Sequence, residues 1–175
     1  MTHQFDLGSK SFVRITTDNR IHLWDVVNGK EKRAYVEKHH LSHSFTCFCW
    51  RPGLKDQGRA AVGYNDGVTV IWDFTRGVVV KTIGIVNESA VPTGAILSND
   101  SSSVYISSAT QDNIVQFNAL SGAVERSLKA GKKGVSHMAL NPKAEVLAFS
   151  RYDNPLSLLY FRYGAFLQCF PCSTD

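Results

Sequence analysis

Apolar-rich runs of roughly four to eight residues recur along the chain, split by small clusters of glycine, asparagine, aspartate and proline. That is the pattern of β-strands joined by tight turns. No stretch sustains an apolar spacing of 3.6 residues, so an all-β chain is predicted. Three segments repeat. Asp18-Asn19-Arg20-Ile21-His22-Leu23-Trp24-Asp25 is followed by Gly29, Asp66-Gly67-Val68-Thr69-Val70-Ile71-Trp72-Asp73 by Gly77, and Asp112-Asn113-Ile114-Val115-Gln116-Phe117-Asn118 by Gly122. Trp24 to Trp72 is 48 positions and Trp72 to Phe117 is 45, and the three glycines keep the same two intervals. Two independent markers with one spacing define a structural repeat.

Each unit reads as four strands. A β-rich run (residues 11–16, 60–64 or 104–108) leads into an Asp-Asn or Asp-Gly pair, which tolerates the positive φ of a tight hairpin. The run ending in Trp-Asp or Phe-Asn follows, then the glycine turn, then a third run at 32–37, 78–83 or 123–128. The remaining run, at 45–50, 92–97 or 135–140, opens the next unit. The units divide at about 1–41, 42–86 and 87–130, and a fourth begins before residue 150. Over 131–175 the pattern degenerates. Asp153-Asn154 stands 41 positions after Asp112-Asn113 and predicts a fourth turn, with strands at 155–161 and 165–170 before the C-terminal tail. Pro155 suits only the start of such a strand.

Val70-Ile71-Trp72-Asp73, preceded by Asn65-Asp66-Gly67, resembles the WD-repeat family, and the likeness extends over about residues 1–150. The resemblance implies an all-β WD-repeat β-propeller of about four four-stranded antiparallel blades. Its structural repeat positions would be Asp18, Trp24, Asp66, Trp72, Asp73, Asp112 and Phe117. The Gly-His dipeptide of the ideal repeat is missing, so the family's inner hydrogen-bond network is expected to be incomplete. A seven-bladed ring needs on the order of 300 residues, whereas this chain has 175. The expectation is a partial or truncated propeller.

Composition narrows the chemistry. Hydrophobic residues make up 43% and charged residues 19%, as in an ordinary globular domain. The start of the sequence lacks the basic and apolar regions of a signal peptide, and no apolar run reaches the roughly 20 residues of a membrane span. The expectation is an intracellular protein with no membrane contact. Asp18, Asp66, Asp112 and Asp153 occupy equivalent turns of different units, which reads as local backbone bonding instead of a shared metal or acid pair. Cys47 and Cys49 near His39, His40 and His43 suggest zinc, but two thiols two apart on a strand fit an apolar pair in a sheet interior better. Cys169-Phe170-Pro171-Cys172 lacks the strand-to-helix setting of a redox motif. Nucleophile-elbow, phosphate-loop and HExxH motifs are absent, so neither catalysis, a cofactor nor a small-molecule substrate is predicted.

The net charge of +4 permits an acidic partner. Lys30, Lys32, Arg33 and Lys38 form one basic cluster and Lys129, Lys132 and Lys133 another. Either could meet phosphates or an acidic partner, or simply guard an outer strand against pairing. The order of the stretches at 40–52, 61–67, 112–118 and 135–142 is similar to the first blades of WD-repeat subunits of the UtpA (t-UTP) subcomplex of the small-subunit processome. That resemblance implies a scaffold in the nucleus and nucleolus, working in ribosomal RNA transcription and 18S precursor processing. Its partners would be other WD-repeat proteins, with pre-rRNA or snoRNA within reach. The alternative is a WD-repeat adaptor in another complex, such as ubiquitin ligation or chromatin regulation, with a cytoplasmic location open to it.

Overall fold

A computed structural model describes residues 2–5, 10–37, 42–52, 58–84, 90–141, 146–152 and 157–160. Among them lie fifteen strands and no helix. They form four antiparallel sheets, each a simple meander in which every strand pairs with the next. The first holds β1 (Thr2–Phe5), β2 (Ser11–Ile15), β3 (Arg20–Asp25) and β4 (Glu31–Val36). The second holds β5 (Phe45–Pro52), β6 (Gly58–Tyr64), β7 (Val68–Asp73) and β8 (Val78–Gly84). The third holds β9 (Pro92–Leu97), β10 (Ser103–Ser108), β11 (Asn113–Asn118) and β12 (Val124–Lys129). The fourth has three described strands, β13 (Val135–Leu140), β14 (Val146–Arg151) and β15 (Ser157–Tyr160).

The runs expected at 92–97 and 135–140 coincide with β9 and β13, and the others are displaced by a residue or two at their ends. β1 and β14 carry no repeat marker and were not among the expected runs; pairing places them, β1 on β2 and β14 between β13 and β15. Of the strands expected in the degenerate unit, 155–161 corresponds to β15, whereas 165–170, Asp153 and the Cys169/Cys172 pair lie outside the described residues.

Consecutive sheets meet through their first strands, β1 with β5, β5 with β9 and β9 with β13. Because successive side chains of a strand point to opposite faces, each sheet can give one face to each neighbour. Val13, Ile15, Ile21, Leu23 and Tyr35 of the first sheet pack on Trp50, Ala60, Val62, Val70 and Trp72 of the second. The other face of the second sheet, including Ala61, Ile71 and Ile83, packs on Leu97, Val104, Ile106 and Phe117 of the third. Ile96, Tyr105 and Ile114 then meet Val135, Leu147 and Phe149 of the fourth. Burial reports the stacking order directly. All of β10 is buried, as a strand covered on both faces must be, whereas β2 alternates buried and half-buried because only one of its faces is covered by a described sheet.

Polar bonds stitch the same interfaces. Tyr35 stacks on Phe74 and donates its hydroxyl to the Phe74 carbonyl at 2.9 Å. Arg33 donates to the Thr75 carbonyl at 3.3 Å, Arg59 to Ser101 at 2.8 Å and Arg51 to Leu97 at 3.0 Å. Each reaches from one sheet to a backbone carbonyl of the next, satisfying an acceptor at a sheet boundary.

Trp72→Ala should lower unfolding free energy by about 3–5 kcal/mol, since a large buried side chain leaves a cavity between two sheets. Gly134 offers a sharper test. Its φ is +64°, and a β-carbon there would stand 2.0 Å from the Ala109 carbonyl oxygen. Gly29 has nearly the same φ with open space around it. Urea titration should show Gly29→Ala losing about 1 kcal/mol, the left-handed backbone strain alone, and Gly134→Ala losing clearly more.

Candidate functional site

In a four-strand meander the turn between second and third strands shares an end of the sheet with the connection to the next sheet. Asp18, Asp66 and Asp112 all lie at this connection end. Asp18 accepts a hydrogen bond from the Thr16 hydroxyl, which holds its carboxyl below the ordinary value, and pairs with Arg20 at 3.3 Å. Asp66 accepts the Val68 N–H at 3.1 Å and lies 3.2 Å from His43 Nε2. At Asp112 the backbone carbonyl accepts the Ala130 and Gly131 N–H groups at 2.7 and 3.0 Å. The carboxylates of Asp18 and Asp66 serve separate turns, whereas at Asp112 the backbone makes the bonds. Among the described residues no group of three or more His, Cys, Asp or Glu side chains is placed to hold a metal.

His43 was not singled out by the repeat, yet it clamps two sheets. Asn19 of the first sheet donates to its carbonyl at 2.6 Å, and its ring meets Asp66 and the edge of Tyr64 in the second. The residue before it is Ser42, so the histidine-to-aspartate contact forms without a preceding glycine. Trp72 Nε1 is buried without a hydrogen-bond partner, and its cross-strand neighbour is Ala60, which has no hydroxyl to offer.

At the opposite end, the second residue of each Trp-Asp or Phe-Asn pair builds a turn. Asp25 accepts the Val27 N–H at 2.9 Å, Asp73 the Arg76 N–H at 3.1 Å and Asn118 the Leu120 N–H at 3.1 Å. The turn glycine then donates back to the carbonyl of that same residue in all three sheets. Asparagine does what aspartate does because the turn needs only a short side chain with an acceptor oxygen.

The two basic clusters fare differently. Lys30 enters β4 at one end, and the connection leaves it about 20 Å away at the other. Between them Lys32 turns to Ser11 and Asp25, at 3.1 and 3.5 Å, while Arg33 turns the other way to Thr75. These side chains therefore do not converge, and Lys38 lies outside the described residues. Lys129, Lys132 and Lys133 are all exposed within one short connection, from the end of β12 to the turn before β13. The backbone bonds to Asp112 and an Arg151 bond to the Ala130 carbonyl at 3.3 Å hold that connection in place.

One feature is invisible in the repeat. Trp72 and Phe117 are buried between sheets, but Trp24, at the same repeat position, is only half-buried because no described sheet covers that side of the first one. There Phe12, Arg14, Trp24, Asp25, Val26 and Gly29 line a cleft of about 380 Å³. Identical markers thus have different exposures, set by stacking order.

Cys47 and Cys49 are free thiols packed towards the third sheet, and burial pushes Cys47 up to about 11 and Cys49 upward as well. A thiol with a raised folded-state value adds nothing to stability change below its unfolded value near 9, and destabilises as pH rises from there towards 11. Tyr35, Tyr64 and Tyr105 are raised by burial too and act in the same direction. Unfolding free energy should therefore fall steadily above about pH 9, and iodoacetamide at pH 8 should label Cys47 and Cys49 only after urea is added. Fast labelling of the folded protein would mean that the second and third sheets part readily. In comparison with known proteins, no family model matches this chain, and a search of curated proteins finds no match.

Proposed function

We propose that the four sheets are consecutive blades of a WD-repeat β-propeller, and that the chain works as a non-catalytic scaffold of the small-subunit processome. The carrying observation is the stacking: meanders whose first three carry markers 45–48 residues apart, touching through their first strands, with each interior sheet spending both faces on its neighbours. Such an array leaves rims, turns and, among the described residues, an end face without a covering sheet for docking. Polar groups are spent within the fold, on turns and on sheet-to-sheet bonds, which suits a platform. The resemblance of residues 40–52 and 135–142 to UtpA subunits directs the reading to ribosome assembly, in the nucleolus and beside other WD-repeat proteins. Lys129, Lys132 and Lys133 are the side chains that would meet pre-rRNA or snoRNA phosphates.

Affinity purification from cells at low and high salt tests the reading. Precursor rRNA and processome subunits should co-purify, and recovery of ubiquitin-ligase or chromatin components in their place would overturn it. Replacing Lys129, Lys132 and Lys133 with glutamine should leave the protein partners in place and weaken binding to single-stranded RNA. If all three meet phosphates, the slope of log K against log salt should fall by about 2.

A further inference from the structure

The fourth strand of each four-stranded sheet is its outer edge, and such edges invite pairing unless they are blunted by charge. β4 reads Glu-Lys-Arg-Ala-Tyr-Val and β12 reads Val-Glu-Arg-Ser-Leu-Lys, three charged residues each. β8 reads Val-Val-Val-Lys-Thr-Ile-Gly, with one charge, no proline and a longer run. Val78 and Val79 are 46% and 38% exposed. β8 pairs with β7 alone, and among the described residues no strand lies along its other side. Of the three edges, this one lacks the usual protection.

Its surroundings carry positive charge. Arg76 is exposed in the turn that leads into β8, and the exposed Arg33 reaches that turn from the first sheet, 3.3 Å from the Thr75 carbonyl. The neighbouring Asp73 is occupied in accepting the Arg76 N–H. Midway along the strand, the Lys81 stem lies over the next sheet's turn, its Cε 2.5 Å from where a β-carbon on Gly122 would stand. Glu125 of the third sheet is engaged by Ser103, Gln116 and Asn118. An apolar edge flanked by two arginines at the start of the strand suits one kind of partner.

We infer that β8 is a β-augmentation site for an extended, β-branched segment of a partner protein whose carboxylates meet Arg33 and Arg76. The incoming strand runs antiparallel to β8, so its C-terminal end carries the acids. Main-chain bonds supply the affinity and the arginines set direction and register. The site deepens the scaffold reading but rests on the edge alone, because it is tested on purified protein with or without any link to ribosome assembly.

The probe is a capped peptide, Thr-Val-Thr-Val-Thr-Glu-Glu, titrated into the 15N-labelled full chain. The expected result is saturable binding with shift changes and slowed amide exchange centred on residues 78–84. The same peptide N-methylated at alternate amides should bind at least about tenfold more weakly, since it keeps its charges and loses strand pairing. Arg76→Gln, at an exposed turn position, should weaken binding and its salt dependence while leaving the fold intact. Equal affinity for the N-methylated peptide, or shifts centred elsewhere, would overturn the assignment. So would a concentration-dependent dimer protected at 78–84 that the peptide does not dissociate, because the edge would then belong to a second copy.

Discussion

A β-sheet with two apolar faces is insoluble alone, and this architecture follows from covering those faces in series. Each interior sheet lends one face backward and one forward, so the hydrophobic core is three slabs between four sheets instead of one central mass. Burial of apolar area supplies the driving force, but it fixes neither the register nor the spacing of the slabs. Those come from polar bonds at the boundaries. Arginine donors from one sheet reach carbonyls in the next, and Tyr35 couples a stacked ring to a backbone acceptor in a single side chain.

Serial stacking also separates interior from end. Trp72 and Trp24 are each followed by an aspartate and hold the same place in their hairpins, yet one is sealed between sheets and the other borders a cleft. A marker's exposure depends on how many sheets precede it. The same holds at the rim, where local sequence matters more. β4 and β12 carry mixed charges and β8 carries valines, so equivalent edges differ in what they can accept. Function in such an array resides in departures from the repeat, because the repeat itself is consumed by packing.

Much of this was legible beforehand. The Asp66-Gly67 and Asp18-Asn19 hairpins, the glycine turns and the runs over β9 and β13 appear where their residue chemistry places them, since a tight turn demands positive φ within a few residues, whereas Asn113 opens β11 without a positive φ. β1 was not legible: Thr-His-Gln-Phe has neither turn marker nor apolar alternation and becomes a strand only by pairing with β2. The basic residues of the first cluster looked contiguous because they adjoin in sequence, but a strand sends adjacent side chains to opposite faces and its two ends some 20 Å apart. His43 drew notice only as a neighbour of Cys47 and Cys49, because its partner, Asp66, is 23 positions away.

Local chemistry, then, determined the strand class, the turn positions and the repeat length, for these depend on φ preferences and on a two-residue alternation confined to short stretches. Tertiary structure alone decided which faces are covered, which lysines share a surface, where His43 and the bridging arginines bond, and which edge stays open. Those outcomes depend on contacts between residues tens of positions apart, set by the order in which whole sheets stack.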